Sequence, residues 1–310
     1  MRSKKILINN LLIIFSALLI LSSCENKEDD ITVSFEHPDT GQPFQIVNAY
    51  KLYNDYFEKA TQDKQQKNIK ELYQSIIIDP IYDQCFADGE YLHLVDLFLN
   101  NTQNDYTALK NLIQDIDQEH VSKVIKNALF TSSEYLLVQI NTTVCVVPVV
   151  ELKTPSNLVT VGSGKIMFFY TGHFNEDTLK TGIAHEYHHS VWTHKYFSSE
   201  GLTTFLDNIV FEGKAVAFEK LVHPDGSFFP VYPYYSLTHW EMIEPHSSVK
   251  DINRYIEIMF GGGDLPRFYG YSVGYKMVKS YLDKHPNLTP SEWLGVSSEE
   301  IYDEADFLSK

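Results

Sequence analysis

The stretch "AHEYHHSVW", Ala184–Trp192, places three histidines and a glutamate within nine positions. On a helix with 100° between residues, His185 and His189 lie about 40° apart on one face, and Glu186 lies about 100° from His185. Two imidazoles one turn apart can chelate a single zinc ion, and the glutamate beside them can reach a water on that ion. The spacing therefore predicts metal-assisted hydrolysis, with His185 and His189 as ligands and Glu186 as the general base.

Two further histidines of the predicted helix lie off the common face. On the same wheel His188 lies at about 300° and His194 points directly away from His185. We expect His188 to be packed or to support a ligand from behind. His194 is expected at the surface or at the helix end.

A third ligand is expected from the next predicted helix, where Asp207, Glu212 and Glu219 compete. Glu212 lies on a face that is otherwise apolar, where an unpaired carboxylate would be costly. Asp207 lies away from that face and is expected to be solvated. Glu219 shares the face one to two turns further on and is assigned to orient a ligand histidine. Gly213 is expected to let this helix approach the metal helix closely.

Hydrophobic periodicity predicts the elements that carry these residues. Residues 44–129 show the three- and four-residue spacing of amphipathic helices, and β-branched runs from Tyr135 to "KIMFFY" (165–170) indicate strands. Helices follow at about 177–194, 203–222 and 271–284, and Asn175 is positioned to cap the first of them. The layout predicts an α+β fold with a small sheet and active-site helices, preceded by a helical N-terminal region.

Three motifs in this order, "AHEYHH", "FEGKAVAFEKL" and "GYSVGYKMV", resemble a domain-of-unknown-function family of predicted zinc-dependent proteases. The resemblance covers about residues 120–307 and more loosely the helical region before them. It is similar to the gluzincins, in which HExxH supplies two histidines and a later helix supplies a glutamate. The resemblance implies a zincin-like domain, a Zn²⁺ cofactor and a peptide or protein substrate, and "KIMFFY" would be the strand that pairs with that substrate.

A hydrolytic mechanism also needs a donor for the oxyanion that forms on the substrate. Tyr271 and Tyr275 lie one helical turn apart around Gly274, which permits close helix approach. Both tyrosines are candidates, although core packing is an equal alternative. His239, in an aromatic loop, is a second candidate.

The N-terminus has the pattern of a bacterial lipoprotein. Residues 1–23 combine a basic start, an apolar run and "LSS" before Cys24, and they predict a signal peptide with lipid attachment at that cysteine. Residues 24–40 are predicted to form an acidic flexible tether, 41–130 a helical region and 131–310 the catalytic region, in one compact unit with 41–130. The expected location is the cell envelope, lipid-anchored at the outer membrane on its periplasmic or surface face.

The net charge limits which partners are expected, and the cysteine content limits which disulfides can form. The net charge of −16 argues against nucleic acid as a partner, because phosphate binding needs a basic surface. Besides Cys24, only Cys85 and Cys145 are present. In an oxidising compartment these two either pair or remain buried thiols, and their spacing does not decide between the alternatives.

Three functions are compatible with the sequence. The first is an envelope-anchored zinc metallopeptidase. The second is a non-enzymatic envelope lipoprotein of the gliding-motility type that uses the fold as a binding or assembly module. The third is a metal-dependent hydrolase of a non-peptide amide. The complete His-Glu-His set favours an enzyme, since a binding module needs no general base.

Overall fold

The structure is a computed structural model. It describes the following residues: 31–62, 68–154, 156–172, 175–198, 204–232, 237–244, 248 and 252–306. The predicted signal peptide, Cys24 and the acidic run after it lie outside these ranges.

A five-stranded mixed sheet forms the centre of the fold, in the order β1-β2-β3-β5-β4. The strands are β1 (Thr32–Glu36), β2 (Pro43–Asn48), β3 (Thr142–Pro148), β4 (Leu158–Gly162) and β5 (Lys165–Tyr170). β2, β3 and β5 run parallel, whereas β1 and β4 are antiparallel to their neighbours. The two ends of the sheet in this part of the chain are therefore β1 and β4.

Helices flank the sheet and continue beyond it. The α-helices are α1 (Tyr53–Gln62), α2 (Ile69–Tyr73), α3 (Tyr82–Cys85), α4 (Asp96–Asn100), α5 (Tyr106–Gln114), α6 (Gln118–Tyr135), α7 (Glu176–Tyr196), α8 (Phe205–Val222), α9 (Leu237–Ile243), α10 (Ile252–Phe260), α11 (Tyr269–Lys284), α12 (Pro290–Trp293) and α13 (Ser298–Glu304). Short 3₁₀ turns span Ala49–Leu52, Asp79–Ile81 and Leu92–Val95, and a π-helical turn spans Gln74–Ile78.

The central strands β3 and β5 are buried on both faces, as mostly apolar interior strands require, whereas the edge strand β1 is partly exposed. On β3, Val144 and Val146 point into a core shared with α6 and α7, whereas Cys145 and Val147 point into a core shared with α1 to α4. A third core lies among α8, α10, α11 and α13. The helix α7, which carries His185 and His189, thus packs on one face of the sheet, and α8 packs against α7.

The α+β fold class predicted from the sequence is confirmed. The helices predicted at 177–194, 203–222 and 271–284 correspond to α7, α8 and α11. The Asn175 side chain accepts a hydrogen bond of 2.9 Å from the Thr178 amide, so the predicted cap of α7 is confirmed.

The predicted tether 24–40 is wrong for its last part. Thr32–Glu36 forms β1, which pairs with β2, and Ile31 is buried in the core beneath α1. The acidic composition of residues 25–30 hid the change to an alternating strand pattern after Asp30. β2 likewise places a strand inside the region 41–130 that was predicted to be helical. Since β2 pairs with β3, the N-terminal region and the region from residue 131 share one sheet.

A disulfide joins Cys85 at the end of α3 to Cys145 in β3, with their Cα atoms 6.0 Å apart. The two cysteines therefore form a disulfide and are not buried thiols, which decides between the alternatives that their spacing left open. Among the described residues, no helix is both long enough and apolar enough to cross a membrane.

Candidate metal centre

The two histidines and the second-helix glutamate converge on one point. His185 Nε2 lies 3.0 Å from His189 Nε2 and 3.2 Å from Glu212 Oε2, and His189 Nε2 lies 3.1 Å from the same carboxylate oxygen. His185 and His189 come from α7, and Glu212 comes from α8, which packs beside it. The three residues form a group that could hold a metal ion in the described part of the chain.

The donor set fits zinc. Bonds of 2.0–2.2 Å at tetrahedral angles place neighbouring ligand atoms roughly 3.3 Å apart, close to the separations seen here. Two imidazole Nε2 atoms facing each other can share at most one proton, so a metal ion satisfies the set better than hydrogen bonding does. Burial opposes a positive charge on His185, yet the carboxylates of Glu212 and Glu219 outweigh it and raise the His185 pKa. The same two carboxylates would also stabilise a bound cation at this position.

The two histidines are oriented by different means. His185 Nδ1 lies 3.0 Å from Glu219 Oε2, and Glu219 is completely buried. His189 Nδ1, in contrast, is buried without a hydrogen-bond partner among the described residues. Its ring stacks on Phe211, with the centroids 4.0 Å apart and the planes at 22°, and Trp192 packs edge-on against Phe211. Sequence reasoning found Glu219 but missed Phe211, because stacking across two helices leaves no periodic signal.

Glu186 is held by the outer strand of the sheet. Its Oε2 accepts hydrogen bonds from the Thr160 amide at 2.7 Å and from the Thr160 hydroxyl at 2.8 Å. The same hydroxyl lies 2.8 Å from the Glu186 carbonyl oxygen. Thr160 is in β4, so the position of this carboxylate depends on how β4 packs against α7. Nothing in the local sequence around either residue indicated this contact.

The remaining α7 histidines lie away from the donor set, as the wheel predicted. His188 is fully buried between the rings of Trp293 and Phe218, and burial lowers its pKa well below the usual value. It is therefore a neutral packing residue. His194 Nδ1 lies 3.2 Å from the Ser163 hydroxyl near the end of α7.

Of the two candidate tyrosines, Tyr271 lies near the histidine and glutamate atoms that could bind a metal ion, and Tyr275 does not. The Tyr271 ring stacks on Phe229 at 4.0 Å and lies 6.4 Å from the His185 ring. Burial, followed by the charge of Glu212, raises its pKa well above the usual value, so it is a protonated donor. Tyr275 is one turn further along α11, and its ring lies 5.7 Å from the Lys220 ammonium. A full turn displaces a side chain by about 5 Å along the axis, which moves Tyr275 away from the donors.

Three other predicted features are placed differently from expectation. His239, on α9, packs edge-on against the Tyr269 ring at 5.6 Å. Gly213 does not bring α8 toward the metal helix. A Cβ at Gly213 would lie 2.8 Å from Gly274 Cα, so the close approach is between α8 and α11. Asp207, which was expected to be solvated, forms a capping box with Thr204 at the start of α8 and accepts a hydrogen bond from the Ser298 hydroxyl.

The predicted substrate strand is also wrong. β5, "KIMFFY", pairs with β3 on one side and β4 on the other, so its backbone is not available to a substrate. The strand next to the metal helix that lies at the sheet edge is β4. Strand order depends on long-range pairing, and local composition does not reveal it.

A family model described as a predicted Zn-dependent protease (DUF2268) matches residues 120–303, which is more than half of the chain. The chain belongs to this family. The DUF2268 match begins in α6 and includes α7, α8 and α11, whereas β1, β2 and the first helices precede it.

A curated protein is also similar to part of the chain. The uncharacterized protein YjaZ of Bacillus subtilis (strain 168) is 27% identical over 124 residues, or 38% of this chain and 48% of that protein. The match therefore spans about half of the relative's length. No solved structure matches the chain.

Proposed function

We propose that this DUF2268 protein is a zinc-dependent metallopeptidase of the gluzincin type. The observation that carries the proposal is the convergence of His185, His189 and Glu212 within hydrogen-bonding distance, beside a glutamate held by β4. The family description is consistent with this function.

Zinc, when bound by these three residues, lowers the pKa of a coordinated water toward 7 and polarises the substrate carbonyl. The chain supplies the proton transfer. Thr160 fixes Oε2 of Glu186 and leaves Oε1 to take a proton from the attacking water and pass it to the leaving amine. Because the carboxylate is buried and held by two donors, it is oriented before the substrate binds.

Tyr271 is proposed as the donor to the oxyanion. Its hydroxyl is protonated and belongs to a residue beside His185, with the ring fixed by Phe229. Removing a single donor of this kind typically lowers turnover by about 10²–10³. Tyr275, beside Lys220, is proposed to have no part in the reaction.

β4 is proposed to bind the substrate backbone. It is an outer strand of the described sheet, and Thr160 brings it into contact with Glu186. An extended peptide that pairs with β4 is positioned with a carbonyl near Glu186, which is the geometry required for attack.

The test is zinc content by mass spectrometry, together with hydrolysis of a broad peptide library before and after chelation. One zinc per chain and turnover that is lost on chelation and restored by zinc are expected. Stoichiometric zinc without turnover would favour the non-enzymatic binding module. Turnover of small amides but not of peptides would favour the non-peptide hydrolase.

We further propose that Cys24 carries a lipid that anchors the protein in the cell envelope. The support is the sequence pattern of residues 1–24 alone. Cys24→Ser should leave an unprocessed precursor, because the lipid is attached at the cysteine sulfur. Recovery of mature, membrane-bound protein from this variant would contradict the anchor.

A further inference from the structure

The outward edge of β4 is already occupied just beyond the site. The Thr160 amide, which faces away from β5, donates to Glu186. The next outward group along the strand, the Val161 carbonyl, accepts a 3.0 Å hydrogen bond from the Tyr91 amide. Both groups therefore already have partners within this chain, and an extended peptide can pair only with the part of β4 that precedes the Thr160 amide.

Residues 89–91, here called the 89–91 wall, are packed tightly against this end of β4. The Glu90 carboxylate accepts a 2.9 Å hydrogen bond from the Ser163 amide. A Cβ at Gly89 would lie 2.6 Å from the Val161 carbonyl oxygen, and a Cβ at Gly162 would lie 2.8 Å from Gly89 Cα. The two backbones are in direct contact, so no third chain fits between them.

The side chain of Tyr91 joins the 89–91 wall to the metal helix. The Thr193 hydroxyl, one turn after His189 on α7, donates to the Tyr91 oxygen at 3.1 Å. The Tyr91 ring also packs edge-on against Phe197, at the end of α7, with the centroids 5.6 Å apart. Tyr91 thus spans from β4 to α7 and closes the space between them.

We propose, building on the peptidase function above, that the cleft is closed at the 89–91 wall and that the substrate is the free amino end of a peptide. A strand advances about 3.3 Å per residue, and the wall begins one residue beyond Thr160. Room therefore exists for about one or two residues between the scissile bond and the wall.

The charge at the closed end selects the amino terminus over the carboxyl terminus. Burial, together with the charges of Glu90 and Glu212, raises the pKa of Tyr91 to about 12, so negative charge surrounds this end. Asp83 and Asp88 add to the negative charge, and Lys165 is the neighbouring cation, with its ammonium directed at the Asp83 and Ala87 carbonyls. With Glu212 set aside as a zinc ligand, Glu90, Asp83 and Asp88 still outnumber Lys165, so an α-ammonium group is favoured over an α-carboxylate at this end.

The experiment compares two decapeptides of one sequence, both amidated at the carboxyl end, one with a free amino group and one acetylated. The full-length zinc-loaded protein should release one or two residues from the free peptide, as read by mass spectrometry. The acetylated peptide should react about 10–100-fold more slowly, the usual effect of losing a charged hydrogen-bond partner. Equal cleavage within both peptides would overturn the proposal. Trimming from the carboxyl end of a non-amidated decapeptide would overturn it as well.

Tyr91→Ala removes the ring that closes the cleft and leaves the backbone hydrogen bond to Val161 in place. The released fragments should become longer, and the preference for the free amino group should fall severalfold. Tyr82→Ala is the control, because Tyr82 is an exposed tyrosine of the preceding helix α3 that lies against Phe86. Unchanged products from Tyr91→Ala would show that the 89–91 wall does not set the fragment length.

Binding separates this proposal from the peptidase function. Zinc-loaded Glu186→Gln is titrated with the same two peptides labelled at the carboxyl end, and fluorescence anisotropy is measured. The free peptide should bind about 10–100-fold more tightly than the acetylated one. Selective binding with no wild-type cleavage would refute the peptidase and retain recognition of the amino end. Cleavage with equal binding and equal rates would retain the peptidase and refute the closed end.

Discussion

Glu212 and Glu219 lie on the same side of α8, yet they contact different atoms of His185. Glu212 reaches Nε2, on the side of the other donors, whereas Glu219 reaches Nδ1 from behind. Glu219 also accepts a 3.1 Å hydrogen bond from the Phe228 amide, which fixes it in place. The first carboxylate is positioned to bind metal and the second to orient the imidazole.

This difference predicts unequal effects on zinc affinity. Glu212→Ala should weaken zinc binding by orders of magnitude, because a ligand is lost. Glu219→Ala should weaken it by about 10–100-fold, the usual effect of removing a group that orients a ligand. Titration against a competing chelator measures both constants. The reverse order would exchange the two roles.

Thr160 provides a second test at the level of single side chains. Thr160→Val keeps the backbone amide bond to Glu186 and removes the hydroxyl bond, with little change in volume. Turnover should fall about tenfold or more, since a hydrogen bond to a charged group contributes about 1.5–3 kcal/mol, while zinc affinity should not change. Steady-state kinetics and zinc titration separate these effects.

Thr142→Val is the matched control for that experiment. Thr142 is a buried threonine of β3 whose hydroxyl has no partner among the described residues. Its replacement should leave turnover unchanged. Equal turnover of both variants and the wild type would show that the Thr160 hydroxyl does not position Glu186.

The residues that could be predicted from the sequence are those with a local signal. His185, Glu186 and His189 follow from helical spacing, and Glu212 and Glu219 stand out as carboxylates on an apolar face. Other residues act only through contacts between distant segments. Those are Thr160, Phe211 and Tyr91, and nothing near them in the chain indicates a role.

At the level of elements, the crossing of α8 and α11 determines where Glu212 lies. The helices meet at Gly213 and Gly274 with their backbones in contact, since a Cβ at Gly274 would lie 3.0 Å from the Ile209 carbonyl carbon. Glu212 is adjacent to this crossing on α8, and Tyr271 is one turn before it on α11. Any side chain at the crossing would push α8 and α11 apart and so separate Glu212 from Tyr271.

Gly274→Ala should therefore destabilise the protein by about 1–3 kcal/mol or more through overpacking, and it should also weaken zinc binding by displacing α8. Gly262→Ala is the control, because the nearest atom to its Cβ would lie at 3.4 Å. Denaturant unfolding of the metal-free protein and zinc titration are the measurements. Normal zinc affinity in Gly274→Ala would show that the crossing does not position Glu212.

The positions of α7 and α8 were predictable because each begins at a capping side chain, and those of β3 and β5 because these strands are mostly apolar. The order of the strands in the sheet, and which helices pack against each other, could not be predicted from the sequence. The sequence near Gly213 indicates a close approach but not to which helix, and "KIMFFY" reads as a strand but not as an interior one. These choices are made by tertiary packing, which a local pattern does not contain.

For the whole molecule, the shared sheet makes the N-terminal region part of the fold that carries the site. β1 and β2 extend the sheet from β3, and the Cys85–Cys145 disulfide joins the N-terminal helices to β3. A cross-link that closes a loop with a sequence separation of 60 residues should stabilise the native state by about 4 kcal/mol in the chain-entropy model. Its contribution is therefore comparable to a large part of the stability of a typical domain.

Replacing both cysteines, as Cys85→Ser with Cys145→Ser, should lower the free energy of unfolding by about 2–5 kcal/mol. Zinc affinity of the folded variant should be unchanged, because the disulfide lies on the sheet face opposite α7. Urea unfolding with and without reductant checks the first statement. A wild type that is insensitive to reductant would contradict the predicted contribution.

The central claim is that one zinc ion held by this chain activates hydrolysis with Glu186 as the base. Zinc stoichiometry and peptide turnover, measured on the same preparations of wild type and Glu186→Gln, test it most directly. We predict one zinc per chain in both proteins and turnover in the wild type alone, since the amide keeps the shape of the carboxylate but accepts no proton. Turnover above a few per cent in Glu186→Gln, or a wild type that binds no zinc, would contradict the claim.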